Sequence, residues 1–141
     1  MADSKQYPES THYLSSKPKL FLIEDSEHDI YFMQKKLNNY YEIFVASNLL
    51  EARRIFYEND PKFFNIIAFD GTLEAGEDTL ELVKEFRPLF KKGIMVAISD
   101  HPLKNRKLFE AMKVAPNSIN YEVEKFRFIE LAIDLVGNID L

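Results

Sequence analysis

The chain of 141 residues has no cysteine and no long run of apolar residues. Without cysteine, disulfides, thiol chemistry and cysteine metal sites are excluded, and the composition suits a reducing cytosol. No apolar run approaches the ~18 residues that a membrane-spanning helix needs, and residues 1–18 lack the apolar core of a signal peptide. We therefore expect a cytoplasmic protein with no membrane-spanning segment.

Clusters of basic residues are also missing. The formal net charge is −5, with 18 Lys and Arg against 23 Asp and Glu. Proteins that bind nucleic acid usually present a basic patch, so nucleic acid is not an expected partner. The histidines, His12, His28 and His101, show no metal-ligand spacing, which argues against a transition-metal site.

Two regions differ in their pattern. Residues 1–17 are polar, are interrupted by Pro8 and show no periodicity, so we predict a flexible N-terminal tail. Residues 18–141 are long enough to form a single domain with a core of its own.

Short apolar runs and amphipathic segments alternate along this domain. The apolar runs occupy residues 19–23, 41–45, 64–69, 93–98 and 119–123. Each run has the length and composition of a strand, and a segment with the apolar spacing of a helix follows it. Strands that alternate with helices predict an α/β fold with a parallel sheet covered on both faces. For five such units we predict the flavodoxin-like, doubly wound (βα)5 fold with strand order 2-1-3-4-5.

This strand order brings separated acidic residues together. Glu24 and Asp25 follow the first run, and Asp70 follows the third. The first and third strands are neighbours in the predicted sheet, and ligands of such folds bind at the carboxyl ends of the strands. Close carboxylates repel one another and raise each other's pKa, and Mg²⁺, which prefers oxygen ligands, would offset this repulsion. A carboxylate beside Mg²⁺ can attack a phosphoryl group, to which Ser99, after the fourth run, could donate its hydroxyl.

Each of these residues also has a simpler interpretation. Glu24 and Asp25 could be a solvated acidic pair at the start of a helix, and Ser99 could be a helix cap. Asp70-Gly71 could form a hairpin turn, but the segment that follows is not an apolar strand. The joint placement of these residues at three strand ends favours a site.

Three stretches resemble response-regulator receiver domains. They are LFLIEDSEHD (residues 20–29), FNIIAFDGTL (residues 64–73) and IMVAIS (residues 94–99). The resemblance extends over residues 18–137, and the order and spacing of the three stretches are more specific than any one of them.

The resemblance implies a role for each site residue. Asp70 would be the phosphoacceptor, Glu24 and Asp25 would hold Mg²⁺ directly or through water, Thr72 would offer its backbone carbonyl to the metal, and Ser99 would sense the phosphoryl group. The protein would then be a receiver of two-component signalling. Its partners would be a histidine kinase or phosphotransfer protein and a downstream protein target, and a homodimer is left open. Its only enzymatic activity would be its own phosphorylation and dephosphorylation at Asp70.

The lysine that such domains carry at the end of the fifth strand has no unambiguous match. Counting forward from Ser99 gives Tyr121 or Glu122, whereas counting back from the last helix gives Lys125. We prefer Lys125, which requires a few extra residues in the preceding segment.

Two alternatives follow from departures in the third stretch. Leu73 is followed by Glu74, where receiver domains usually have a hydrophobic residue and proline, so a pseudo-receiver that binds proteins without phosphorylation is the runner-up. The letters DGTL also resemble the end of the haloacid-dehalogenase motif DxDGT. The nucleophile position of that motif is Ala68 here, and the motif normally opens its domain, so a phosphatase of this type is disfavoured.

Overall fold

The computed structural model describes residues 17–73 and 76–139. Its strands are β1 (Lys19–Ile23), β2 (Glu42–Ala46), β3 (Ile66–Phe69), β4 (Ile94–Ala97) and β5 (Ile119–Glu122). Its α-helices are α1 (Glu27–Leu37), α2 (Leu49–Tyr57), α3 (Leu80–Phe86), α4 (Pro102–Met112) and α5 (Phe128–Val136). The predicted tail lies outside the described residues, except for Lys17.

All strand pairs are parallel, and the order is β2-β1-β3-β4-β5. This confirms the predicted doubly wound fold and its strand order. The register aligns Ile23 with Ala46 on one side and with Phe69 on the other, and Phe69 with Ala97. The carboxyl ends of these four strands therefore lie along one edge of the sheet, where the side chains that follow them can meet.

The sheet is buried between two layers of helices. Phe21 and Ile23 of β1 face a core cluster that includes residues of α2, α3 and α4, whereas Leu20 and Leu22 face a second cluster with residues of α1 and α5. Because both faces of the central strands are covered, their sequences are continuously apolar rather than alternating. Within the described residues, every helix is too short or too polar to traverse a bilayer.

Helix α1 begins at a capped terminus next to the acidic pair. The Ser26 side chain accepts a hydrogen bond from the backbone N–H of Asp29 at 3.2 Å, which satisfies one of the free donors at the helix start. The Asp29 carboxylate is directed at Lys125, since Asp29 Oδ2 lies 3.1 Å from Lys125 Nζ. Helix α1 thus begins directly after Glu24 and Asp25 and holds Asp29 near the same edge of the sheet.

Strand β3 begins at Ile66, two residues later than the apolar run predicts. The Asn65 side chain accepts a hydrogen bond from the backbone N–H of Lys19 at 2.7 Å, and a short 3₁₀ helix (Pro61–Phe63) precedes it. The apolar Phe64 is part of the core but not of the strand.

Candidate functional site

Three carboxylates converge at the carboxyl edge of the sheet. Glu24 and Asp25 follow β1, and Asp70 follows β3. The backbone ladder continues for one more step, since the Glu24 N–H donates to the Ala46 carbonyl and the Asp70 N–H donates to the Ile23 carbonyl, both at 3.0 Å. One carboxylate oxygen from each acid lies within 4.8 Å of the others. The acids therefore meet as the predicted strand order requires.

Glu24 is fully buried, and only one of its oxygens is hydrogen-bonded. Oε2 accepts from the backbone N–H of Ser26 at 3.0 Å. Oε1 is buried without a hydrogen-bond partner, although Lys125 Nζ lies 3.0 Å away as an ion pair. Burial, and then the negative charge of Asp70, raise the pKa of Glu24 to about 7. A buried carboxylate with a free oxygen is costly unless a proton or a cation compensates its charge.

Asp70 is also buried, but its carboxylate has two different neighbours. Oδ1 accepts a hydrogen bond from the backbone N–H of Gly71 at 2.9 Å, and Oδ2 lies 3.6 Å from Lys125 Nζ. Burial raises the pKa of the Asp70 carboxyl, and the charge of Lys125 only partly opposes this rise. The Thr79 hydroxyl donates to the Asp70 backbone carbonyl at 2.6 Å, which anchors the start of α3 to the end of β3.

Lys125 is the lysine that reaches the acids. It begins a short 3₁₀ helix (Lys125–Arg127) between β5 and α5, and its Nζ also contacts Glu24 at 3.0 Å and Asp29 at 3.1 Å. Burial disfavours the ammonium, but the carboxylates outweigh burial and raise the pKa of Lys125. Of the two other positions considered, Tyr121 packs against the second core cluster and Glu122 pairs with an arginine of α4.

Ser99 follows β4 and is almost completely buried. Its hydroxyl oxygen accepts a hydrogen bond from the backbone N–H of His101 at 3.1 Å, and it lies 3.1 Å from the point where a Gly71 side chain would begin. Ser99 therefore sits beside the end of β3.

Asn105, which the sequence analysis did not single out, holds this loop in place. Its Oδ1 accepts from the Ser99 backbone N–H at 2.8 Å, and its Nδ2 donates to the Val123 carbonyl at 3.0 Å. The only sign of this role in the sequence is that Asn105 is a polar residue on the face of α4 that packs against the sheet.

The loop after β3 is closed by contacts that the sequence analysis also missed. Thr72 is exposed and forms an isolated antiparallel bridge with Asp78. The Asp78 carboxylate accepts from the Leu80 backbone N–H at 2.9 Å and from Lys104 Nζ at 2.6 Å. Lys104 belongs to α4, so this ion pair ties the β3–α3 loop to the following unit of the fold.

A cavity of about 200 Å³ opens next to the acidic cluster. It is lined by Asp29, Phe32, Met33, Asp100, Lys125, Phe126 and Ile129. The side chains of Phe32 and Phe126 are 42% and 66% exposed. A cavity that combines aromatic and apolar side chains with a few charged groups is typical of a binding site for another molecule.

The acidic cluster suits a small divalent cation. Oxygen ligands bound about 2.1 Å from one Mg²⁺ lie at most about 4.2 Å apart, slightly closer than the 4.8 Å limit that encloses the carboxylate oxygens of Glu24, Asp25 and Asp70. A small inward movement, or one bridging water, would complete such a site. Glu24 Oε1 is a buried oxygen that accepts no hydrogen bond, and a metal would compete for it with the Lys125 ammonium 3.0 Å away.

No protein-family model and no curated protein matches the chain. Solved structures do match, and they are mostly response regulator receiver domains. A CheY-like receiver domain from Methylobacillus flagellatus has a TM-score of 0.67 and 17% identity, over 89% of this chain and 100% of that one. A putative response regulator from Chloroflexus aurantiacus has a TM-score of 0.63 and 20% identity, over 86% and 99%. A response regulator from Burkholderia pseudomallei, described with a phosphorylated aspartic acid and a calcium ion, has a TM-score of 0.64 and 14% identity, over 86% and 70%. The chain therefore has the fold of these receiver domains.

Proposed function

We propose that this protein is a receiver of two-component signalling in which Asp70 accepts a phosphoryl group from a phosphohistidine. The donor would be a histidine kinase or a phosphotransfer protein. The observation that carries the proposal is the environment of Asp70, a buried carboxylate at the end of a central strand. It lies within 4.8 Å of two further acids and 3.6 Å from the ammonium of Lys125.

The transfer uses groups that this chain supplies. A carboxylate oxygen of Asp70 forms a bond to phosphorus while the bond from phosphorus to the donor's imidazole nitrogen breaks, and the electron pair of that bond stays on the nitrogen. Lys125 pairs with the added phosphoryl charge as a compact point charge. The Ser99 hydroxyl, which now accepts from His101, turns to donate to a phosphoryl oxygen.

Glu24, Asp25 and Asp70 would hold Mg²⁺, together with the backbone carbonyl of Thr72. The support is the oxygen-only ligand set and the buried Oε1 of Glu24, which accepts no hydrogen bond. Bound Mg²⁺ would offset negative charge that develops on the transferring phosphoryl group. The calcium ion and phosphorylated aspartic acid described for the Burkholderia pseudomallei response regulator belong to that protein, and they support the same combination here.

The cavity next to Lys125 suits the approach of a phosphodonor. Phe32 and Phe126 lie on its exposed rim, and exposed aromatic side chains are common at protein interfaces. A donor domain that packs on these rings would bring its phosphohistidine toward Asp70. Binding of a downstream protein, homodimer formation and a cytoplasmic location remain predictions.

Phosphorylation of the purified protein by acetyl phosphate with Mg²⁺ tests the proposal, with intact mass as the measurement. We expect the wild-type mass to increase by one phosphoryl group, and we expect no increase for Asp70→Asn or when EDTA removes Mg²⁺. The mass should return to its starting value when the acyl phosphate hydrolyses. An unmodified wild-type protein, under conditions that phosphorylate a known receiver domain, would refute the phosphoacceptor role.

One observation favours the pseudo-receiver alternative. Lys125 already lies within ion-pair distance of Glu24, Asp29 and Asp70, so one positive charge compensates part of the acidic cluster without a metal or a phosphoryl group. If the protein is a pseudo-receiver, the exposed rings of Phe32 and Phe126 would bind a partner without any change in the phosphorylation of Asp70. A partner that binds wild type and Asp70→Asn equally, with no phosphorylation of wild type, would support this alternative.

A further inference from the structure

Lys104 of α4 lies directly over Gly71, the residue after Asp70. A Cβ atom on Gly71 would be 2.3 Å from Lys104 Cγ and 3.1 Å from Lys104 Cδ. Real Cβ atoms do not approach other atoms so closely, so the aliphatic part of Lys104 occupies space that exists only because residue 71 is glycine. The Ser99 hydroxyl oxygen is 3.1 Å from the same point. Lys104 and Ser99 therefore approach the end of β3 from the same side.

This side of Asp70 is the one that Lys125 does not cover. Asp70 Oδ1 is held by the backbone N–H of Gly71 at 2.9 Å, whereas the ion-pair contact with Lys125 is at Oδ2, at 3.6 Å. The two oxygens of the carboxylate thus face different surroundings. Oδ2 has Lys125 as its neighbour, and Oδ1 is bound to Gly71, over which the Lys104 side chain passes.

The positive charge next to Asp70 is too small to neutralise a phosphoryl group there, so a second cation would find a partner. Lys125 is shared among Glu24, Asp29 and Asp70, and phosphorylation would replace the single negative charge of the Asp70 carboxylate by the roughly two negative charges of an acyl phosphate. Among the described residues, Lys104 pairs with one carboxylate, that of Asp78, at 2.6 Å. Its ammonium is carried on a flexible stem and can exchange partners.

We propose that Lys104 binds the phosphoryl group on Asp70, exchanging Asp78 for a phosphoryl oxygen when Asp70 is modified. This rests on the proposed function and adds a second phosphoryl-binding residue to it. In the unmodified protein Asp78 holds Lys104 aside. In the modified protein Lys104 leaves Asp78, and the loop after β3 loses its tie to α4. Phosphorylation of Asp70 therefore changes the contact between that loop and α4.

The proposed exchange predicts that substitutions of Lys104 and of Asp78 have opposite effects on the binding of a phosphoryl group. Lys104→Met keeps the stem over Gly71 and removes the ammonium. Asp78→Asn removes the carboxylate that holds Lys104, but an asparagine oxygen can still accept from the Leu80 backbone N–H, as Asp78 Oδ1 does at 2.9 Å. Lys107→Met is the matched control, because it removes an exposed positive charge from the same helix.

The experiment is titration with beryllofluoride, a phosphoryl mimic, in the presence of Mg²⁺, with affinity measured by calorimetry and binding at Asp70 followed by fluorine NMR. We expect Lys104→Met to weaken beryllofluoride binding about tenfold, the size of one lost charge-assisted hydrogen bond. We expect Asp78→Asn to bind at least as tightly as wild type, and Lys107→Met to bind like wild type.

Two results would overturn the role of Lys104. If Lys104→Met and Asp78→Asn weaken binding equally, their ion pair is only a structural tie, and if Lys104→Met matches Lys107→Met, Lys104 does not contact the mimic. Should Lys104→Met fail to fold, Asp78→Asn decides alone, since weaker binding by that variant contradicts the exchange. Failure of the wild-type protein to bind beryllofluoride refutes the proposed function itself, and the role of Lys104 with it.

Discussion

Lys125 Nζ lies closer to Glu24 Oε1, at 3.0 Å, than to Asp70 Oδ2, at 3.6 Å. In the protein without metal, Lys125 is therefore the counter-ion of Glu24 more than of the proposed phosphoacceptor. A divalent cation on the carboxylates would compete with Lys125 for Glu24 and would release the ammonium toward Asp70. The metal and Lys125 would then be alternative counter-ions of the buried Glu24 carboxylate.

Magnesium should stabilise the protein through Asp25. Millimolar Mg²⁺ is expected to raise the melting temperature, because a ligand that binds only the folded state stabilises it. Asp25→Asn should abolish this rise, since one of the three clustered carboxylates is lost. Asp100→Asn is the control, because Asp100 lines the nearby cavity but is outside the cluster. An equal rise in wild type and Asp25→Asn, measured by differential scanning calorimetry, would show that the metal binds elsewhere.

Without metal, stability should decrease as the pH rises toward neutrality. The pKa of Glu24 is raised from 4.5 to about 7 in the folded protein, so the folded state binds more protons than the unfolded state between these values. The free energy of unfolding therefore falls as the pH increases through this window, by on the order of 3 kcal/mol. Urea unfolding in EDTA at a series of pH values measures this fall.

Glu24→Gln is the control for the pH dependence. The glutamine carries no titrating carboxyl, so the fall in stability between pH about 4.5 and 7 should be smaller in this variant. The part that remains is assigned to Asp70, whose pKa burial also raises. If wild type and Glu24→Gln show the same pH dependence, the titrating group is not Glu24.

Removal of the Asp70 charge should stabilise the metal-free protein at neutral pH. Burial raises the pKa of the Asp70 carboxyl, which means that its ionised form is less stable in the folded protein than in water. Asp70→Asn keeps an oxygen that can accept from the Gly71 N–H, and it should raise the free energy of unfolding by on the order of 1 kcal/mol. A clear loss of stability in chemical denaturation would instead identify Asp70 as a structural acceptor.

Lys125→Met should have the opposite effect. It removes the cation that lies 3.0 Å from Glu24 Oε1, so the carboxylates repel one another more strongly. We expect a loss of roughly 1–2 kcal/mol at neutral pH without metal, and a smaller loss in Mg²⁺, because the metal replaces the lysine as counter-ion. Arg127→Met, in the same 3₁₀ helix, should change little. An equal loss with and without Mg²⁺ would argue that the two cations do not compete for Glu24.

The strand order and the meeting of the acids could be predicted because both follow from local patterns. Continuous apolar runs identify buried parallel strands, and the order of the strands then places Glu24 beside Asp70. Lys125 was ambiguous because it depends on the length of irregular chain. Counting forward from Ser99 does not reach Lys125, because two irregular segments intervene. Residues 113–118 join α4 to β5, and residues 123–124 join β5 to the 3₁₀ helix, and no periodicity in the sequence fixes their lengths. Counting back from α5 gives the lysine whose Nζ contacts the acids, because the 3₁₀ helix that begins at Lys125 leads directly into α5.

The ion pair of Lys104 and Asp78 could not be predicted. Its partners are 26 residues apart on a helix and an irregular loop, and each has the appearance of an ordinary exposed charge in the sequence. Contacts of long side chains across elements depend on backbone approach, here the absence of a side chain at Gly71. Only coordinates reveal such an approach.

Arg87 is the largest side chain among the fully buried residues, and it has no carboxylate partner in the described part of the chain. Its guanidinium donates to the carbonyls of Met112 at 3.0 Å and Gly93 at 3.1 Å, to the Asn120 side chain at 2.7 Å, and to the Phe90 carbonyl. It therefore joins the end of α4 to the starts of β4 and β5, at the opposite edge of the sheet from the acids. Burial lowers the pKa of Arg87 to about 10, still high enough to keep it charged at neutral pH.

Arg87→Met should be the most destabilising of these substitutions. The methionine fills part of the space but removes the Arg87 donors from the Phe90 and Gly93 carbonyls, whereas the Met112 carbonyl keeps a hydrogen bond from Ser118. Each buried acceptor that loses its donor costs roughly 1–3 kcal/mol, so we expect a loss of at least about 3 kcal/mol. Arg87→Lys should lose nearly as much, because one ammonium cannot reproduce the planar fork of donors, whereas Asn120→Ala removes a single contact and should lose about 1 kcal/mol. Urea unfolding with Mg²⁺ and EDTA in parallel separates this effect from the acidic site, since the losses should be the same in both. A neutral or stabilising Arg87→Met would mean that burying the charge costs as much as its hydrogen bonds contribute.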